Sequence, residues 1–556
     1  LLTVSLLFWS MLVFAAAALV FDKRSHRIFR SSWKAIALIL LATALWRTPW
    51  DGVFFHGLEY EDSYVYTVAG RQMAEHVRPP SNDLEPPFSF SVCAMGSMID
   101  CQMWEAFPEH LIGYPYVIGL ASRIFGYTPA VGSLINFFSA LIAVVLIFML
   151  ALTIAEDPLI ALLSGLIFAV VPVFAVYGLE TSAEPFSCCC MLLALWFFVS
   201  LWRTERTSVV GQCLGWCAYT CALLFCQTVK REDAVLALAL PIVLPFILPG
   251  MGGTFRRKRL WTGFVLMSSA FALILSFQMH LLATSESEQE LLRQFPLTAS
   301  RLASFIGSFL SSFWVLRWYA GTFLAVLVGI IVGVRKKGLA LMPVGLLVTF
   351  IVLYASHIRG YYEMETGRVA PESALRFSMD IMGLWAIVAG TGLGWCVRHI
   401  QHVDALRSRE RLCRHSLYWA GLSLLVVTFV ATFDLKRDAI EDETNSRVTP
   451  AVVSTEAALI DGPQITYILT MDPLVVQMYA GSGTRIVDLE SVDGTMLDAL
   501  IASRRKLVLL KQNDRFMETD VKRYGEPIRR VLDLPSHRLN SGDGFTVSLI
   551  QPTGTQ

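Results

Sequence analysis

Apolar runs long enough to cross a bilayer core, about 20 residues or about 17 at the short end, recur along this chain between short charged segments. They fall near 1–21, 33–49, 128–154, 158–177, 184–202, 208–228, 234–249, 260–282, 313–334, 338–356, 377–396 and 415–433. The pattern predicts an α-helical polytopic membrane protein with about twelve transmembrane helices. The chain opens on Leu1-Leu2 rather than Met, so its start is expected upstream; the first run lacks a basic n-region and a small-residue cleavage site, and is expected to span.

Lys and Arg accumulate in short cytoplasmic loops, and their positions test the map. Lys23, Arg24, Arg27, Arg30 and Lys34 separate the first two runs. Arg203 with Arg206, Arg256-Arg257-Lys258-Arg259, Arg335-Lys336-Lys337 and the stretch Arg398 to Arg414 then follow at every second loop. This alternation places the segments 50–127, 283–312, 357–376 and everything after about 434 on the extracytoplasmic side. Large non-membrane mass on one face suits an enzyme with an extracytoplasmic site better than a transporter that keeps both faces lean.

Between the runs, two segments carry their own structure. In loop 50–127, Ser63 to Val77 places Tyr64, Val68 and Ala69 on one helical face, as expected for a helix lying at the membrane surface. Pro79-Pro80 and Pro86-Pro87 end it. Segment 434–556 alternates short strands (465–471, 485–489, 506–511, 545–550) with helices (472–479, 492–503, 513–523), which predicts a small α/β domain with a parallel sheet. The expected organisation is thus a transmembrane domain, 1–433, that includes loop 50–127, followed by an extracytoplasmic α/β domain, 434–556. Gly481-Ser482-Gly483 alone reads as a turn, and no P-loop or full dinucleotide fingerprint accompanies it.

Composition agrees with the pattern and removes some functions. Of 556 residues, 55% are hydrophobic and 16% charged, too apolar for an ordinary soluble chain. The formal net charge is zero, so no basic surface argues for nucleic acid. Cys93 and Cys101 share the oxidising-side loop and read equally as a disulfide or as two thiols. Cys188-Cys189-Cys190, Cys213, Cys217, Cys221 and Cys226 fall inside runs, without interleaved His or carboxylate at ligand spacing, and read as small core residues rather than metal ligands.

Candidate chemistry begins with the acidic, aromatic stretch Leu58 to Arg71. Its adjacent carboxylates Glu61 and Asp62 lie where the chain emerges into water, as either a solvated loop or a reactive pair. Lys230, Arg231, Arg359 and Arg376 fall at outer helix ends, against the prevailing charge rule. For Lys230-Arg231-Glu232-Asp233 a self-neutralising loop of ion pairs is the competing explanation, and for Arg376 it is a snorkelling side chain. Glu184, at a helix start, is either a site residue or a first-turn acid favoured by the helix dipole. His56, His110 and His357 are scattered on the outer side and read first as surface histidines.

Several ordered features together resemble one family. Glu61-Asp62-Ser63-Tyr64-Val65-Tyr66-Thr67-Val68-Ala69 is followed by Tyr114-Pro115, Ile124-Phe125-Gly126, Ala130 to Asn136, Glu180 to Pro185, Lys230 to Asp233 and Arg376-Phe377. This order resembles the GT-C superfamily of polytopic glycosyltransferases, and within it the protein O-mannosyltransferases and the transferase that adds aminoarabinose to lipid A. The family pattern is Asp-Glu-x-x-Tyr with an Ala a few residues on; here the two acids are swapped, which leaves open which one leads.

The resemblance implies a sugar transferred from a polyprenyl-phosphate donor to a hydroxyl of a glycolipid, polysaccharide or protein on the extracytoplasmic side. Glu61 or Asp62 would be the base of an inverting transfer. Tyr64, Glu184, Lys230, Arg231, Arg359 and Arg376 would bind substrate, with the cations facing the departing phosphate. The resemblance names no definite cofactor; Asp62 or Glu61 with His110 could hold a divalent ion, as in some relatives. Short loops and a compact terminal domain suit a bacterial inner membrane. Two other readings compete: a transporter, which would show related halves and broken helices at the midplane, and a non-catalytic envelope glycan assembly protein that kept the scaffold.

Overall fold

The computed structural model describes residues 2–21, 23–47, 66–67, 69–71, 73–74, 89–92, 102–105, 111–128, 130–171, 181–203 and 209–230. It further describes 233–250, 254–283, 322–352, 381–402, 466–470, 485–488, 506–512, 526–542 and 545–550. The expected span 415–433, the helices expected at 472–479, 492–503 and 513–523, and Cys93 and Cys101 lie outside these residues.

The chain divides into two compact units. The first, residues 1–50, 108–116 and 133–436, is helical. Helices α1 (Leu2–Phe21) and α2 (Lys23–Arg47) open the chain. Helix α3 (Gly113–Phe125) precedes α4 (Val131–Ala155), α5 (Pro158–Val170), α6 (Ala183–Arg203) and α7 (Val209–Val229). Helices α8 (Ala234–Ile247), α9 (Phe255–Ala283), α10 (Thr322–Lys336), α11 (Gly338–Val352) and α12 (Met382–His402) follow.

Six helices among the described residues are long and apolar enough to cross a membrane: 2–20, 26–47, 131–155, 183–202, 209–229 and 255–278. The protein is therefore an integral, multi-pass membrane protein of α-helical type. Helices α5, α8 and α11 are apolar but shorter. With 13 residues, α5 rises only about 20 Å, less than a hydrocarbon core of about 30 Å, although the run from 158 is apolar to 177.

Burial sorts the bundle. Inside α6, 83% of the spanning window is buried, against 17% in α2 and 28% in α1 and α9, so α6 is central and the other three present apolar side chains outward. Helix α6 packs on α7, α7 on α1 and α9, α2 on α5, and α12 on both α5 and α10. The last contact is close: a Cβ on Gly329 would collide with the Val388 carbonyl, and one on Gly392 with that of Ala325. Missing side chains let these two backbones approach, the usual device of helix association in lipid.

The turn from α4 to α5 is made by two residues. Glu156 adopts φ 57°, and Asp157, extended at φ −128°, accepts from Leu159 N at 3.0 Å while Pro158 occupies the first helical position. That is a capped start suited to Pro. The Asp157 carboxylate also pairs with the Arg398 guanidinium of α12 through both oxygens, one bond measuring 2.6 Å. Burial raises the Asp157 pKa, but hydrogen bonds from Arg398 and from the Leu159 and Ile160 backbone, with the Arg398 charge, outweigh it and hold the group below its ordinary value.

The second unit comprises 51–107, 117–132 and 437–556. Among the described residues its sheet has seven strands in the order β2-β1-β4-β3-β5-β7-β6: β1 (Ser89–Val92), β2 (Gln102–Glu105), β3 (Thr466–Thr470), β4 (Arg485–Asp488), β5 (Lys506–Gln512), β6 (Ser536–Gly542) and β7 (Phe545–Ile550). The four strands expected from the sequence appear as β3, β4, β5 and β7. They do not form a purely parallel sheet. Strands β1, β4, β3 and β5 are parallel, whereas β2, β7 and β6 add antiparallel pairs.

Ile468, Leu469, Leu507, Val508, Leu509 and Leu510 are all buried, so consecutive residues face apolar surroundings on both sides of the sheet. Two strands come from 89–105, so the sheet is not confined to the segment after 434. Helix α13 (Glu526–Leu532) precedes β6.

Asp157→Asn keeps the helix cap and removes the ion pair, and it should lower the melting temperature of the detergent-solubilised protein at neutral pH. Since folding depresses this pKa, the pair contributes fully above about pH 4 and is lost as pH falls through the lower folded-state value. The gap between wild type and variant should therefore close on acidification. Asp157→Ala should lose a further 1 kcal/mol or so with the cap. Equal melting of wild type and Asp157→Asn at pH 7 would show the pair to be inert.

Candidate active site

Helix ends leave backbone donors and acceptors unpaired, and in the helical unit polar side chains gather at one such place. The N-terminus of α6, the turn from α7 to α8, the first turn of α3 and the first turns of α4 meet there. Tyr114, Ser133, Asn136, Thr181, Ser182, Glu184, Ser187, Gln227, Thr228, Lys230 and Asp233 are all buried.

Glu184 and Ser187 share one face of α6, spaced as neighbours on a helix. Lys230 and Asp233 bracket the turn, where Lys230 N donates to Cys226 O at 3.2 Å and Asp233 N to Lys230 O at 3.3 Å. Two rungs then cross from helix to turn. Lys230 Nζ lies 3.6 Å from Glu184 Oε1, and Ser187 Oγ meets both Asp233 carboxylate oxygens at 2.8 Å. Gln227 Nε2 donates to the Asp233 carbonyl at 3.1 Å and ties the turn back onto α7.

The surrounding helices brace this junction. Asn136 Nδ2 donates to Ser182 O at 2.8 Å, and Ser133 Oγ lies 3.3 Å from Thr181 Oγ1. These contacts join the runs 130–136 and 180–185, which are separate in sequence. A Cβ on Gly113 would lie 2.5 Å from Thr228 O, so only glycine lets the start of α3 reach the last turn of α7. Next to it Tyr114 is fully buried, 5.7 Å ring to ring from Phe186. Burial and the nearby Glu184 carboxylate raise the Tyr114 pKa well above its ordinary value, against a hydrogen bond with Asn136. Its hydroxyl therefore stays neutral and serves as a hydrogen-bonding group.

Of the candidates from sequence, Glu184 and Lys230 are thus brought together in a buried ion pair. Glu61, Asp62, Tyr64, Arg231, Arg359 and Arg376 lie outside the described residues, as does His110. Among the described residues no group of three or more His, Cys, Asp or Glu is placed to hold a metal ion. The described residues of 66–74, just after the acidic pair in sequence, are helical, and Tyr66, Thr67 and Ala69 are buried. Arg123 donates to Met73 O at 3.3 Å, Arg71 stacks over the Tyr127 ring at 4.8 Å, and a Cβ on Gly119 would lie 2.8 Å from Gly70 O.

Ser187 carries no charge and gives no signal of a site in the sequence, whereas Tyr114 and Asn136 are marked only by lying in the runs that carry the family resemblance. Arg47, the last residue of α2, does give one, since the charge map expected from the sequence puts it, like Lys230, at an outer span end. It is fully buried, donates to Phe168 O at 2.7 Å and lies over the Phe168 ring at 4.8 Å, so it caps the last turn of the short α5.

The fold, a bundle with membrane-length helices joined in sequence to a sheet-containing unit, is shared with solved membrane proteins. The family profile for dolichyl-phosphate-mannose-protein mannosyltransferase matches residues 109–277, a stretch that contains the whole junction. The fold is similar to that of ArnT from Cupriavidus metallidurans, solved bound to undecaprenyl phosphate, with TM-score 0.58 and 13% identity over 95% of this chain and 100% of that one. It is also similar to the archaeal oligosaccharyltransferase AglB from Archaeoglobus fulgidus, solved with an inhibitory peptide and a dolichol-phosphate, with TM-score 0.52 and 11% identity over 95% of this chain and 75% of that one. No curated protein sequence matches the chain.

Ser187→Ala should cost about 1.5–3 kcal/mol of stability, because it strips a buried carboxylate of the hydroxyl proton shared between its two oxygens. Ser187→Thr, which keeps the hydroxyl, should recover most of it. Thermal unfolding in detergent checks both, and an unchanged Ser187→Ala protein would mean that the Asp233 carboxylate does not depend on this serine.

Proposed function

We propose that this protein is a membrane glycosyltransferase that moves a sugar from a polyprenyl-phosphate donor to a hydroxyl of a glycolipid, polysaccharide or protein. The observation that carries this reading is the buried Lys230 junction, set in a fold shared with an enzyme solved with undecaprenyl phosphate. An ammonium enclosed at a helix end is a suitable partner for a lipid phosphate. About twelve spans in a bacterial inner membrane, with the site and the segment after 434 extracytoplasmic, complete the proposal.

In the reaction the acceptor hydroxyl oxygen attacks the anomeric carbon while the bond from that carbon to the phosphate oxygen breaks. The hydroxyl proton passes to a carboxylate, Glu61 or Asp62, and the electron pair leaves with the polyprenyl phosphate. Attack opposite the leaving group inverts the anomeric centre. Negative charge grows on the phosphate as it departs, so cations fixed beforehand favour the transition state over the bound donor. Lys230, Arg231, Arg359 and Arg376 are the proposed cations, with Tyr64 and Glu184 completing the substrate-binding set. Sequence order and resemblance support the roles of Glu61, Asp62, Tyr64, Arg231, Arg359 and Arg376; burial and helix-end placement support Lys230 and Glu184 as well.

Purified protein in nanodiscs, incubated with a panel of polyprenyl-phosphate sugars and acceptors, should consume one donor and release polyprenyl phosphate. Glu61→Gln and Asp62→Asn, assayed separately, should include at least one variant about 100-fold slower or worse, the usual contribution of a general base. Full activity in both would sink the assignment. Lys230→Ala and Arg376→Ala should raise the donor concentration needed for half-maximal rate. If acceptor dependence moved and donor dependence did not, the phosphate assignment would be wrong.

A further inference from the structure

The two rungs of the junction are unlike each other. Ser187 grips both oxygens of Asp233 at 2.8 Å, within ordinary hydrogen-bond range. Glu184 and Lys230 approach only to 3.6 Å, beyond that range, so their attraction is that of two charges rather than of a formed hydrogen bond. Both side chains are buried, at 3% and 7% exposure. An ammonium in such a place needs a counter-charge at all times, and a carboxylate and a phosphate offer it the same kind of oxygen. Lys is a point charge with three rotatable donors and can turn from one to the other without a fixed geometry.

From this difference we propose that Glu184 is a placeholder for phosphate: it holds Lys230 while the site is empty, and an incoming phosphate takes Lys230 from it while the Ser187–Asp233 rung keeps the turn in place. The proposal rests on the phosphate reading of the preceding subsection and gives Glu184 a role opposite to simple substrate attraction. The displaced carboxylate does not become stranded. It stays in the first turn of α6, where the helix dipole favours an acid, and beside Tyr114.

The exchange has a consequence for the reaction. A donor phosphodiester carries one negative charge, and the departing monoester carries up to two. A ligand must outcompete Glu184 to engage Lys230, so the phosphate does so more fully as its charge grows. Competition by Glu184 thereby weakens donor binding more than it weakens the transition state, which is the condition for binding energy to raise turnover.

The test is direct binding of undecaprenyl phosphate to the full chain in nanodiscs, with inorganic phosphate as the lipid-free probe. Glu184→Gln should bind the lipid about tenfold tighter, the factor that corresponds to about 1.4 kcal/mol no longer spent on separating the ion pair. Glu184→Ala should shift in the same direction, which guards against a defect peculiar to the amide. Lys230→Gln should bind more weakly, and adding Glu184→Gln to it should bring no gain. Inorganic phosphate should show the same order of variants at lower affinity, since it lacks the polyprenyl tail.

If Glu184→Gln and Glu184→Ala bind no tighter than wild type while Lys230→Gln weakens binding, the placeholder role is overturned and the phosphate site stands. If Lys230→Gln binds like wild type, the phosphate site at Lys230 falls, and the placeholder with it.

Discussion

A charge that enters the interior of a helical membrane unit must bring its partner, because no water is there to replace one. Lys230 faces Glu184, Asp233 is gripped by Ser187, and Arg47 spends one of its donors on the Phe168 carbonyl. All three arrangements sit at helix ends, where free backbone groups already make the surroundings polar. The same constraint therefore determines where helices stop and where chemistry is feasible. Arg47 caps the last turn of α5, and Lys230 and Asp233, which lie between α7 and α8, also carry charge.

Packing then decides which polar groups meet. The central α6 is enclosed along most of its length, so its N-terminal turn projects Glu184 and Ser187 into a space walled by other helices. Asn136 fastens the start of α4 to the residue before α6, and Gly113 lets α3 approach α7 closely enough to lay Tyr114 over the same place. Apolar burial supplies the bulk of the stabilisation, whereas these hydrogen bonds fix the register between helices that apolar contacts alone would leave free to slide.

What could be read from the sequence follows the range of the underlying interaction. Long apolar runs are local, and 131–155, 183–203 and 209–229 appear almost where hydropathy places them. Within the run from 158 to 177 the described helix α5 ends at Val170, under a cap provided by a residue far away in sequence. Strands β1 and β2 are short, lie in a proline-broken loop, pair with each other and reach the sheet through the pairing of β1 with the distant β4, so no alternation announces them. Strand β6 is polar, Ser-His-Arg-Leu-Asn-Ser-Gly, as suits a strand that lies at the edge of the sheet among the described residues, paired with β7.

In the junction Lys230 and Glu184 stand out by charge. Ser187 and Asn136 acquire their roles through bonds that cross 46 residues of chain and leave no local mark. Arg47 was legible by the rule that singles out Lys230, a cation at an outer helix end.

The family match and the junction coincide for a physical reason. Lipid-facing and core positions of a membrane helix accept many apolar side chains of similar volume, so a fold can persist at 13% identity with little recognisable sequence. A charged pair in a dry interior tolerates no such exchange, since removing one member strands the other. The stretch 109–277, which matches the family profile, holds both rungs, the asparagine that braces them and the glycine that admits Tyr114. Within it the rungs divide their work by strength. A carboxylate whose two oxygens share one serine proton at 2.8 Å suits a fixed post, and an ion pair at 3.6 Å suits a contact that can be exchanged.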